Sequence, residues 1–279
     1  MNDSSMHSQL AFIGAGNMAR SLIGGLIERG YPSDAITATD VNEQALERLQ
    51  SDFAVNASAD NLSAVLHADV VIVAVKPQQM HEVCSGLRDA VQSTTPLIVS
   101  VAAGIRANAI DRWLGGGLPI VRCMPNTPAL IQCGASGLYA NQNVTESQRH
   151  SAEDILSSVS RVVWVDSEDR IDAVTAVSGS GPAYIFLVIE AMQAAAEKLG
   201  LTADQARQLV LQTAYGAARM ALESDDEAAT LRANVTSKGG TTAAALEVFE
   251  SKQFRELFAE AMQAAAARSA ELGDQLGEE

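Results

Sequence analysis

Leu10-Ala11-Phe12-Ile13-Gly14-Ala15-Gly16-Asn17-Met18-Ala19 is the stretch on which the fold turns. Four apolar residues run into a GxGxxA turn, and apolar residues at three-to-four spacing then continue from Met18 to Arg29, which predicts strand, tight turn and helix. Gly14 makes the turn, Gly16 omits the Cβ that would block a pyrophosphate, and Ala19 lets the helix lie close on the strand. The helix start offers unpaired N–H groups and the positive end of its dipole to phosphates. A nicotinamide dinucleotide is the expected ligand.

Working outward, short apolar runs at Ile36–Thr39, Val70–Val75, Leu97–Val101, Ile120–Cys123, Gly137–Tyr139 and Val162–Val165 predict further strands, with helical stretches such as Glu43–Ser51 between them. The alternation implies an α/β fold with a doubly wound, mostly parallel sheet. After Asp166 the period is helical throughout: Ile185, Phe186, Ile189, Met192, Ala196 and Leu199 mark one face, Ala206 to Met220 a second, Phe254 to Ala265 a third. The expected division is a dinucleotide-binding domain over 1–168 and an all-helical domain over 169–279. Runs such as Ala194–Ala196 and Ala264–Ala267 supply little apolar area, so these helices are expected to pack on a second copy of the chain. The plainer alternative is that Ala is simply a good helix former. The acidic tail Asp274–Glu279 reads as a frayed end.

The 279 residues carry 19 Lys and Arg against 34 Asp and Glu, a formal charge of −15. That excludes a broad phosphate-binding surface of the nucleic-acid kind, so any anion must be held locally. Cys84, Cys123 and Cys133 form no CxxC pair and have no His at zinc spacing, which argues against disulfides and a metal centre and suits a cytoplasmic protein. The polar N-terminus lacks a secretory pattern. The uncharged stretch Ala173–Ile189 is interrupted by Ser178-Gly179-Ser180-Gly181-Pro182, which argues against a membrane span.

Asp40, closing the second strand, suits hydrogen bonds from an adenosine 2′-hydroxyl and repels a 2′-phosphate, favouring NAD(H), while Thr39 and Asn42 leave NADP(H) open. Asp40 suits equally well the N-cap of the helix beginning near Glu43. Lys76-Pro77 and Val101-Ala102-Ala103-Gly104 follow strand ends, where doubly wound sheets hold ligands; Lys76 is otherwise a solvated strand end. His7, His67, His81 and His150 occupy hydrophilic segments, leaving Lys76 as the one plausible base. That poverty of acid–base groups points to a substrate carrying its own proton, such as an iminium. Three polar motifs stand out: Met124-Pro125-Asn126-Thr127-Pro128, Ser178 to Tyr184, and Val235 to Thr242. The last, a Gly-rich turn entering a helix, suits a carboxylate; ordinary turn and cap chemistry is the alternative for all three.

Together with Phe12–Met18, Ala74–Pro77 and Ser100–Gly104, these motifs closely resemble those of the pyrroline-5-carboxylate reductase family over essentially the whole length. The resemblance implies an N-terminal Rossmann domain, a helical dimerisation domain interleaved with that of a second subunit, and often a decamer built from dimers. It implies hydride transfer from NAD(P)H to C5 of (S)-1-pyrroline-5-carboxylate, giving L-proline. Carried onto this chain, it implies cofactor contacts from Ile13, Gly14, Ala15, Gly16, Asn17, Met18, Asn61, Ala74, Val75, Lys76, Pro77, Val101, Ala102 and Ala103. The substrate carboxylate falls on Lys238, Gly239, Gly240, Thr241 and Thr242, with the Thr242 hydroxyl near the ring nitrogen. Family members commonly have Pro at the position of Lys238. They are usually NADP-linked or accept both cofactors, against which Asp40 pulls. Two rivals are a β-hydroxyacid dehydrogenase, whose catalytic Lys has no counterpart in Ala183-Tyr184-Ile185-Phe186, and a non-catalytic dinucleotide sensor.

Overall fold

The structure, a computed structural model, describes residues 7–277. Its eight strands are β1 Leu10–Ile13, β2 Ile36–Thr39, β3 Asn56–Ser58, β4 Val70–Val73, β5 Leu97–Ser100, β6 Ile120–Met124, β7 Gly134–Ala140 and β8 Ser160–Trp164. They form one sheet in the order 3-2-1-4-5-6-7-8. β1 to β6 run parallel, β7 pairs antiparallel with β6, and β8 follows β7 in parallel. β1, β4 and β5 are buried at every residue, as a sheet covered on both faces demands. One core, around Phe12, Leu22, Ile23 and Leu49, lies on one face; the other, around Ile13, Val71, Met80 and Ile110, lies on the opposite face.

The helices are α1 Asn17–Glu28, α2 Glu43–Phe53, α3 Asn61–Leu66, α4 Met80–Thr94, α5 Ala107–Trp113, α6 Glu146–Ser157, α7 Arg170–Val174, α8 Gly181–Lys198, α9 Ala203–Glu223, α10 Ala228–Asn234, α11 Thr241–Ser251 and α12 Phe254–Gly277. Capping boxes begin two of them, Thr145 with Gln148 and Thr202 with Gln205. The fold class is the expected one. All seven expected strands form, Gly137–Tyr139 lengthened to Gly134–Ala140, and β3 is added. β3 is three residues long and polar, so no apolar run announces it.

Contacts divide the chain elsewhere than at 168/169. One compact unit comprises residues 1–180 with 265–279, the other residues 181–264. The end of α12 joins the first unit because Leu272 and Leu276 cover Gly104 and Gly273 lies against Arg106. It is also helical to Gly277, so the described part of the acidic tail is not frayed. In the second unit only Ala206 and Val210 are buried among the described residues, while Phe186, Leu187 and Tyr215 are each at least 60% exposed. These helices have too little core of their own.

Ser178 to Pro182 does not interrupt the chain as expected. Thr175–Gly179 form one turn of π-helix, in which Ser180 N–H donates to the Thr175 carbonyl at 2.8 Å, and the helical run continues from Arg170 to Lys198. Thr175 and Ser178 hydroxyls donate to carbonyls one turn back, at Ile171 and Val174. By length and composition alone this run could cross a membrane.

Candidate functional site

The crossover between β3 and β4 places β1 beside both β2 and β4, and the chain leaves β1 and β4 in opposite directions along the sheet. Ligands of doubly wound sheets collect in the crevice this opens at the strand ends. Gly14 turns the chain there with φ +103°, and a Cβ on it would stand 2.7 Å from the Ala74 carbonyl oxygen. Only glycine satisfies both conditions. Its N–H donates to the Thr39 carbonyl at 2.8 Å, and Ala74 N–H donates to the Ile13 carbonyl at 2.8 Å. The turn is thereby tied to both neighbouring strand ends.

Gly16 answers to a different demand. A Cβ there would meet nothing within 4 Å, so no atom of the chain requires a glycine. Gly16 is also the N-cap of α1, with no side-chain cap and no acidic residue in the first turn. Open space in front of uncapped N–H groups at Asn17 and Met18 fits a pyrophosphate, which would supply the missing acceptors.

Asp40 faces this turn: its Oδ2 accepts from Ala15 N–H at 2.7 Å and its Oδ1 from Asn42 N–H at 2.9 Å. The expected cap role belongs to Asn42, whose side chain accepts from Gln44 and Ala45 N–H, because α2 begins one residue after it. Beyond Asp40, a cavity of about 330 Å³ is lined by Val41, Asn61 and Gln79, among others. Its position past the ends of β2 and β3 suits the adenosine end of a dinucleotide.

On the other side of β1, Lys76 is exposed, precedes Pro77 at the start of a short 3-10 turn, and makes no ion pair among the described residues. After β5, Val101 N–H donates to the Val73 carbonyl at 3.2 Å, Ala102 is buried and Ala103 exposed. Ile13 to Met18, Asp40, Asn61, Ala74 to Pro77 and Val101 to Ala103 are thus brought to one edge of one sheet.

Lys238 to Thr242 lie in the second unit. Gly240 N–H donates to the Ser237 carbonyl at 3.0 Å and Gly239 has φ +71°, a type II turn with Lys238 in its second position. Gly240 is then the N-cap of α11, again without a side-chain cap or an acidic residue in the first turn. Thr242, in that first turn, is half-buried.

Two further constellations join residues that no single motif contains. Asn126 joins two of the polar motifs, its Nδ2 donating to the Ser178 carbonyl at 3.0 Å while its Oδ1 accepts from Ala135 N–H at 2.9 Å. Arg122, 2% exposed in the middle of β6, pairs with Glu168 at 3.0 Å. Burial pushes the Cys84 and Cys123 thiols up to about 12, leaving them protonated and unreactive. Among the described residues no cluster of His, Cys, Asp and Glu could hold a metal.

The family model for pyrroline-5-carboxylate reductase dimerisation matches residues 168–272, and that for NADP oxidoreductase, coenzyme F420-dependent, matches 9–104. The chain is 52% identical to a pyrroline-5-carboxylate reductase of Pseudomonas aeruginosa, covering 97% of this chain and 98% of that one. A solved pyrroline-5-carboxylate reductase from Coxiella burnetii superposes with TM-score 0.93 at 48% identity, covering 95% and 98%. The Plasmodium falciparum pyrroline carboxylate reductase, solved with NADP bound, does so with TM-score 0.83 at 29% identity, covering 96% and 98%.

Proposed function

The chain belongs to the pyrroline-5-carboxylate reductase family, and from that premise we propose how its own residues carry the reaction. The enzyme reduces (S)-1-pyrroline-5-carboxylate to L-proline, completing proline biosynthesis, with a reduced nicotinamide dinucleotide. The observation carrying the residue assignment is the open space at Gly16 before the uncapped start of α1, where the chain leaves donors without acceptors.

Ile13 to Met18 bind the pyrophosphate, and Asp40 and Asn61 the adenosine portion. Ala74 to Pro77 and Val101 to Ala103 line the crevice toward the reacting end. When bound, the dinucleotide supplies hydride to C5 of the imine. The turn from Lys238 to Gly240, with the first N–H groups of α11 at Thr241 and Thr242, holds the substrate carboxylate; Lys238 adds a positive charge. Thr242 hydrogen-bonds the ring nitrogen and orients the ring. Its hydroxyl is too weak an acid to be the main proton source, so the imine binds already protonated. The residues fit a site that positions and neutralises rather than one that performs acid–base work.

Both NADPH and NADH are accepted. The family and the NADP-bound relative favour NADPH, whereas the Asp40 carboxylate repels a 2′-phosphate and raises the share of NADH. Residues 1–168, with the end of α12 packed on them, serve the dinucleotide, and the helices of 181–264 serve dimerisation and substrate. The assembly is a homodimer, further associated as a decamer, in the cytoplasm, and the exposed apolar helices of residues 181–264 supply its contact surface. Initial rates with the imine and each nucleotide test the assignment: NAD(P)H oxidation should appear only when the imine is added, and no imine-dependent oxidation overturns it.

A further inference from the structure

The segment Val101–Arg106 leaves the sheet at β5 and enters α5, and its far end is pinned by residues distant in sequence. α5 has no cap from Arg106, the residue at its N-cap. Its first N–H, on Ala107, instead donates to Glu168 Oε1 at 2.6 Å, and the same oxygen accepts from Arg122 at 3.0 Å. Arg122 is almost fully buried, so Glu168 cannot leave without stranding a charge. Arg106 in turn reaches Asp169 at 3.3 Å and Asp274, on α12, at 3.1 Å. Ser269 of α12 donates to Asp172 at 2.6 Å, and Leu272 and Leu276 cover Gly104. All these residues belong to one compact unit.

We propose that Glu168 and Arg106 are positioning residues for the dinucleotide: by fixing the start of α5 they hold Val101–Ala103 at the crevice. On the strand side this segment has few ties, from Val101 N–H to Val73 and from Ala102 N–H to Ser100 Oγ at 3.4 Å. Ala102 and Ile105 are also packed in the core, so releasing the other end permits only a small shift of Val101–Ala103 at the crevice while β5 stays in register. Neither residue is among Val101–Ala103, the part assigned to the crevice: Arg106 closes the segment and Glu168 lies outside it. The proposal rests on the assignment of Val101–Ala103 to the cofactor.

The test uses the full chain carrying Arg106→Gln, Glu168→Gln or both. Gln at 168 keeps an acceptor oxygen, so the fold stays within reach where Ala would not, but it loses the charge that strengthens both bonds and pairs Arg122, which loosens the start of α5. Calorimetric titration with NADPH and with NADH, without imine, should show each single variant binding about 3–10-fold more weakly. The double variant should fall short of the product of the singles, because both act on one segment. At saturating nucleotide, kcat and the imine KM should stay within about twofold of the parent. Unchanged nucleotide affinity, including the case in which only Tm falls, overturns the proposal, as does an imine KM that rises as much as the nucleotide Kd. A parent enzyme that binds neither nucleotide would overturn the cofactor assignment itself, and the proposal with it.

Discussion

Asp40 places a fixed negative charge beside the glycine turn, held by N–H groups of Ala15 and Asn42. Each of its oxygens still has a lone pair free for a ribose hydroxyl, whereas a 2′-phosphate meets only repulsion. Asp40→Asn keeps an oxygen for Ala15 and removes the charge. The ratio of kcat/KM for NADPH over NADH should rise about tenfold, equivalent to ~1.4 kcal/mol, in parallel initial-rate measurements; an unmoved ratio would mean that the carboxylate serves the turn alone. Thr242 is the residue proposed to meet the imine. Thr242→Ala should lower kcat/KM by about one to three decades through loss of one positioned hydrogen bond, with nucleotide Kd unchanged. Parent rates in that variant would remove the hydroxyl from the mechanism.

At the scale of elements, the turn before α11 carries a local conflict. The second position of a type II turn favours Pro, whose φ is already set, yet Lys238 occupies it. Lys238→Pro should raise stability by about 0.4–1 kcal/mol in chemical denaturation, while the imine KM rises severalfold for want of the charge. The β1–turn–α1 unit was legible from the chain alone because Gly14, Gly16 and Ala19 answer to constraints only a few residues apart. The cap of α2 was not, since Asp40 and Asn42 both suit an N-cap and a two-residue choice depends on where the helix begins. Nor were the bridges from Asn126 to Ser178 and from Glu168 to Ala107 and Arg122, in which residues far apart in sequence meet only once the sheet is assembled. Spacing rules see one helix or strand at a time.

For the whole molecule, a charge of −15 and two anionic ligands are reconciled by confinement: each ligand is assigned to an uncapped helix start, at Gly16 and at Gly240. The apolar side chains exposed on the helices between 181 and 264 suit self-association. Light scattering at micromolar concentration should give at least twice the 29.3 kDa chain mass, and a monomer would contradict the dimer. The compact unit that holds the nucleotide crevice is discontinuous, completed by residues 265–279. During synthesis, at about 5–20 residues per second, its final helix therefore emerges on the order of ten seconds after Ser180. Until then Gly104 lacks its Leu272 and Leu276 cover and Arg106 lacks Asp274, so a nascent chain or a product of premature termination presents an unfinished nucleotide-binding fold. Loss of residues 265–277 would thus leave the nucleotide-binding unit without the helix that closes it.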